Sequence, residues 1–125
     1  MKSLFLSLGI LLTVITVSVF GAFFTDKKLA SFYEAIENAI PEESNSTKEV
    51  HEGAIKIESE YEKLKKYIIL FIQDDGVREI EEHISDIKSS AQRDELADAL
   101  TSKSRLLLHI KQLRRLSKFS SEAIF

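Results

Sequence analysis

Glu79 and His83 stand four residues apart in the stretch GVREIEEHISDI, residues 76–87. On a helix they share one face, a spacing that can hold a divalent metal ion. No second histidine lies within helical reach and no HExxH pattern occurs. The expected state is therefore a solvated, acid-rich face made of Glu79, Glu81, Glu82 and His83. His51 and His109 fall in other segments, and His109, between Leu108 and Ile110, reads as a hydrogen-bonded or partly wet residue at a core boundary. Carboxylates pair at Glu42-Glu43, Asp74-Asp75, Glu81-Glu82 and Asp94-Glu95. General acid–base work needs two carboxyls in unlike surroundings within a cleft, and these pairs lie in uniformly polar stretches. Asp74-Asp75-Gly76 lacks the alternating oxygen ligands and closing glutamate of a calcium loop. There is no cysteine, no glycine-rich phosphate cradle and no Ser/His/Asp arrangement. The residues predict a chain that is not an enzyme and carries neither cofactor nor metal.

The elements that would position any site begin with SLFLSLGILLTVITVSVFGAFF, Ser3 to Phe24, 22 residues without a charge. At 1.5 Å per residue a helix of that length reaches roughly 33 Å, about one hydrocarbon core. Only a helix could carry this backbone through lipid, since every amide must find its partner within the segment. The rival is a secretory signal cut after Val19-Phe20-Gly21, before Ala22. Because the apolar run continues through Phe23-Phe24 past that site, a retained span is favoured. Lys2 faces Lys27 and Lys28 across the run, so positive charge hardly orients it. A short amino-terminal tail that stays inside predicts an extracytoplasmic domain at the cell membrane. Residues 1–25 form the anchor in this reading and residues 26–125 one small domain.

That domain reads as all-α. Leu29, Phe32, Tyr33, Ile36 and Ile40 fall at helical spacing, so the membrane helix is expected to continue into them until Pro41 stops it. PEESNS, residues 41–46, is loop-like, and Ser46 with Glu49 forms a capping-box signature for a long helix. Val50, Ala54, Ile57, Tyr61, Leu64, Ile68 and Phe71 give that helix a seam alternating in steps of four and three. Gln73-Asp74-Asp75-Gly76 predicts a turn with a left-handed Gly76 and acidic caps. Val77, Ile80, Ile84, Ile87 and Ala91 then repeat the seam, and SSAQR, residues 89–93, predicts the next turn with Asp94 as N-cap. The last helix, 95–118, carries Leu96, Ala99, Leu100, Leu106, Leu107, Ile110 and Leu113, interrupted by Lys103 and Ser104. Short connections make neighbours antiparallel, giving a transmembrane helix followed by a small antiparallel bundle of three to four helices.

Charge is uneven beneath a net value of −3. Residues 26–100 hold 10 Lys or Arg against 19 Asp or Glu, a net of −9, and residues 101–125 hold 6 against 1, a net of +5. A basic last helix packed on acidic ones is the favoured explanation, ahead of contact with anionic lipid or an acidic partner. An acidic chain with so short a basic stretch argues against nucleic acid. Phe119 and Ile124-Phe125 are expected to tuck back on the bundle, the alternative being a docking peptide.

Three stretches, EYEKLKKYIILFI, GVREIEEHISDIKSS and DELADALTSKSRLLLHIKQLRRLSKFSSEAIF, together resemble an uncharacterised Gram-positive (Firmicute) family of short single-span membrane proteins. Arg78-Glu79-Ile80-Glu81-Glu82, Leu108-His109-Ile110 and Glu122-Ala123-Ile124-Phe125 carry most of the likeness. The chain departs from that family at Tyr61, where a tryptophan is common, near Gln73-Asp74, and at Ala123, where asparagine is usual. The resemblance implies architecture and location and no reaction. Packing seams without a catalytic constellation predict a membrane-anchored helical protein-interaction module, bound to lipid through residues 3–24 and to a protein partner or a second copy. His109, Arg114, Arg115, Ile124 and Phe125 are its candidate interaction residues. The alternatives are an extracytoplasmic bundle that senses a small molecule or metal, and a secreted helical factor freed by cleavage.

Overall fold

A computed structural model describes residues 2–70, 72 and 74–124, with side chains up to residue 116. Four helices account for nearly all of them: α1 Lys2–Ala39, α2 Thr47–Ile68, α3 Asp74–Gln92 and α4 Leu96–Ile124. Among the described residues there is no strand. Helix α1 runs 38 residues without a break, roughly 57 Å at 1.5 Å per residue. It passes straight through residue 25, where anchor and bundle were expected to meet.

The second half of α1 is the first helix of a four-helix bundle. Gly21, Thr25, Leu29, Phe32 and Ile36 are buried in steps of four and three. Helices α2 and α3 bury Val50, Ala54, Ile57, Tyr61, Leu64 and Ile68, and Val77, Ile80, Ile84, Ile87 and Ala91. Each helix packs on its sequence neighbours, and α4 closes the ring against α1. Pairs fix the directions. Phe32 meets Tyr61 and Phe24 meets Tyr67, so α2 runs back towards the start of α1. Asp26 meets Arg114 while Lys111 lies over Tyr33, so α4 does the same. The all-α bundle expected from the periodicity is present, with α1 as a full member.

The apolar first half of α1 stands clear of this bundle. Only 6% of its most apolar window is buried, whereas the core helix of a water-soluble domain buries one whole face. Leu4, Phe5, Leu6, Leu8, Ile10, Leu11, Leu12, Val14 and Val17 all point outward. The Thr13 and Thr16 hydroxyls donate to the carbonyls of Gly9 and Leu12, each at 2.8 Å. These two hydroxyls thus find partners inside the helix, as a hydrocarbon environment demands. The segment is long and apolar enough to cross a membrane, a test that a signal sequence also passes.

Several local expectations are corrected. Ser46 has the extended backbone of an N-cap, but its side chain makes no capping bond; the neighbouring Thr47 hydroxyl instead donates to Asp94 Oδ1 at 2.6 Å. Helix α3 begins at Asp74, and Gly76 lies in its first turn without a positive φ. The glycine is there for close approach: a Cβ would come within 2.9 Å of Ile72 and 3.1 Å of Leu113. Residues 89–92 belong to α3 instead of a turn. Asp94 is no N-cap; it takes φ 59° and ends α3. Asp94 N–H donates to the Ala91 carbonyl and Glu95 N–H to the Ser90 carbonyl, the paired bonds of a Schellman motif. Lys103 does not interrupt the α4 stripe but is buried within it, 3% exposed, beside Ser102 and Leu106. Its long alkyl stem can fill core space while the ammonium reaches the rim. Helix α4 continues past residue 118 to Ile124. The expected seam position of Phe71, the side chains of Phe119 and Ile124, and Phe125 altogether lie outside the described residues.

Gly53 sets the spacing between α1 and α2. A Cβ there would fall onto the Ala39 carbonyl oxygen and within 2.6 Å of the Ile40 side chain. Gly53→Ala should gain about 1 kcal/mol of helix propensity. Overpacking against backbone should cost about 1–3 kcal/mol, so the expected net result is a lower midpoint in chemical unfolding. A midpoint that rises would show the helices able to part freely.

Candidate functional site

Three clusters gather the polar side chains that could do chemistry. The first lies between α3 and α4. His109, buried, faces the start of α3, with Nε2 3.0 Å from the Gly76 carbonyl oxygen and Nδ1 3.3 Å from Glu79 Oε2. Neutral imidazole can donate to one of these acceptors, imidazolium to both. The His83 ring lies 5.9 Å away between centroids, and its Nδ1 is buried without a partner among the described residues. Both nitrogens of His109 thus face protein oxygens. No group of three metal-ligating side chains is assembled among the described residues. The acidic face is exposed at Glu79, Glu81 and Glu82, as expected, and two of its carboxylates also reach neighbouring helices, Glu79 to α4 and Glu81 to α2.

The second cluster lies between α2 and α3. Tyr61 is buried beside Phe32, and its hydroxyl donates to Glu81 Oε1 at 2.9 Å. Lys65 Nζ reaches the same oxygen at 2.9 Å. Burial, and then the Glu81 carboxylate, pushes the Tyr61 phenol well above its ordinary range. Lys65 foremost and Tyr61 next hold the Glu81 carboxyl below the usual carboxylate range. The same carboxylate holds the Lys65 ammonium above its own. Alongside runs an open groove of about 370 Å³ bordered by Glu58, Glu62, Glu81, Lys88 and Gln92. Lys88 is held by Glu58 at 2.8 Å. Such a groove is at the small end of ligand sites, and Lys88, the cation among its lining residues, is already paired. The sequence signal for this cluster was a hydroxyl-bearing ring in the middle of an otherwise apolar seam, since a buried tyrosine needs a partner for its O–H.

The third cluster marks the end of the bundle nearest the apolar half of α1. Arg114 Nε donates to Asp26 Oδ1 at 2.9 Å in a half-buried pair. Lys28 sits over both the Phe24 and Tyr67 rings, at 5.3 and 4.7 Å, and Lys27 over Phe23 at 4.7 Å. Among the candidate interaction residues, Arg114 and His109 are thus engaged within the fold, one with α1 and one with α3, while Arg115 is exposed. Ile124 is helical with its side chain outside the described set, and the described candidates, His109, Arg114 and Arg115, form no single patch. The partly buried Asp26–Arg114 pair should be worth about 1–2 kcal/mol, between the exposed and buried extremes. A double-mutant cycle on Asp26→Asn and Arg114→Gln is expected to return a coupling of that size; coupling near zero would show α4 held at this level by apolar contacts alone.

Comparison with family models, with curated proteins and with solved structures finds no match to this chain.

Proposed function

We propose that this chain is a membrane-anchored interaction module: α1 fixes it in the cell membrane and its helical bundle engages another membrane protein or a second copy. The observation that carries this reading is the uncovered apolar half of α1, joined without a hinge to a well-packed bundle. Retention of the segment is supported by the buried stripe, which begins at Gly21; cleavage before Ala22 would remove its first position. Charged side chains link neighbouring helices in pairs, Lys65 with Glu81, Lys88 with Glu58 and Arg114 with Asp26, which suits a scaffold better than a reaction centre. An extracytoplasmic bundle is the orientation we favour. Its setting in a Gram-positive envelope rests on the sequence resemblance.

Photo-crosslinking of the full-length chain in native membranes, with probes spread over the exposed faces of α2 and α3, tests the reading. Recovery of one recurrent membrane partner, or of a homodimer, is expected. Recovery of neither would remove it. The polar α2–α3 groove favours a second reading, a bundle sensing a small polar ligand. A reproducible rise in melting temperature with a metabolite or metal would support that one.

A further inference from the structure

The end of the bundle beside Phe24 carries apolar surface that no part of the described chain covers. Tyr67 on α2 lies level with Phe24, their ring centroids 5.6 Å apart. Because α2 runs back along α1, Ile69 and Leu70 sit two and three residues farther towards the apolar segment. Ile69 keeps right-handed helical backbone as the C-cap of α2, roughly 3 Å beyond the level of Phe24 at helical rise, and Leu70 follows it into the turn. On the opposite side, Arg114 is level with Asp26, and Leu116 follows two residues on in the same direction. Leu70 is 80% exposed and Leu116 63%, with Phe20, Phe23 and Ile69 also open. Such side chains are costly in water when grouped.

Cations flank this surface on the α1, α2 and α4 sides, while the exposed Asp74 and Asp75 mark its α3 side. Lys27 and Lys28 lie over its aromatic rings, and Lys66 and Arg115 are exposed beside it. Exposed apolar residues under a collar of aromatic rings and cations match the boundary between acyl chains and headgroups, where anionic lipid attracts Lys and Arg.

We propose that the α2–α3 corner, led by Ile69 and Leu70 and flanked by Leu116, inserts into the headgroup–acyl boundary of the bilayer that α1 crosses. The corner is then a second membrane contact that holds the bundle against the surface. This rests on residues 3–24 being a retained span, and it follows from continuity: α1 is one rod, and it carries the corner to the depth of its own apolar end.

The chain has no tryptophan, so single replacements report depth cleanly. Leu11→Trp, Ile55→Trp and Leu70→Trp, each in the full chain, are reconstituted in mixed phosphatidylcholine–phosphatidylglycerol vesicles brominated near the headgroup or near the chain ends. Ile55 is exposed on α2, thirteen residues back from Ile68. Leu70→Trp is expected to be quenched by the shallow label at least about twofold more than Ile55→Trp, as for other interfacial side chains. Leu11→Trp should respond most to the deep label. Quenching of Leu11→Trp with Leu70→Trp no different from Ile55→Trp overturns the corner contact and leaves the span standing. A blue-shifted Leu70→Trp indifferent to bromine means that protein covers the corner, and overturns it too. An unquenched Leu11→Trp removes the span and the corner contact together.

Discussion

Replacing both Leu11 and Val14 with arginine is expected to abolish recovery of the chain in the carbonate-washed membrane fraction. Both side chains are exposed near the middle of the apolar half of α1, with nothing of the bundle beside them to shelter a charge. An arginine at the centre of a spanning helix costs about 3 kcal/mol on insertion scales, so the pair opposes insertion by about 6 kcal/mol. One apolar segment has no neighbouring helix to share that cost. The unaltered chain, by contrast, should remain in the pellet at its full mass of 14.2 kDa. Mature protein starting at Ala22 in the medium would instead assign residues 1–21 to a signal, and the bundle would keep α1 only from Ala22 onward.

The second large effect is expected at Tyr61. Truncation to alanine empties the contact with Phe32 and deletes the bond to Glu81, and aromatic-to-alanine changes in cores cost about 3–5 kcal/mol. For a domain of this size each kcal/mol lowers the melting temperature by about 4–8 °C, so Tyr61→Ala should melt well over 10 °C below the parent. Tyr61→Phe keeps the ring and loses the bond, at a cost of about 1 kcal/mol because the largely exposed Glu81 can rehydrate. The pH dependence has a defined sign. Above about pH 10 an unfolded tyrosine releases its proton, while folded Tyr61 retains it, held by burial and by Glu81. The unfolded state then binds fewer protons, so stability falls as pH rises. Glu81 acts at the other end, since its lowered carboxyl contributes stability above the ordinary glutamate range that is lost as pH falls through its folded value. Melting temperatures followed by circular dichroism should therefore decline on both flanks. Tyr61→Phe should flatten the alkaline one, and an unchanged alkaline decline in that variant would assign it to other groups.

Much of the fold was legible because helical burial leaves a period in the sequence. Val50 through Ile68 and Val77 through Ala91 were read as seams, and every described residue of those two series is buried. The continuity of α1 was also readable, since no breaker stands between Ser3 and Pro41 other than Gly9 and Gly21. Misreadings cluster where polarity was taken for exposure. Ser89 and Ser90 look like a turn, yet Ser90 is buried at the end of α3; the stop comes from the left-handed backbone of Asp94, a conformation aspartate tolerates. Lys103 was taken as a gap in a stripe because a charge was assigned to solvent, although four methylenes can serve as core. The polar clusters were the least legible part. Glu79 meets His109 and Glu81 meets Tyr61 across sequence separations of 30 and 20 residues. Nothing local marks such pairs, since they depend on which helix faces which.

The unbroken α1 has a mechanical corollary. A rod with one half held in a fluid sheet and the other half built into a domain turns lean into sideways travel. Tilting a helix of about 57 Å by about 10° shifts its far end by about 10 Å. With residues 3–24 retained as a span, as proposed, regions where acyl chains are shorter would make the rod lean further, displacing the α1–α2 loop at residues 40–46 like the tip of a gauge needle. A pivot at the waterline would erase that reading, and the backbone between Phe20 and Lys28 offers none.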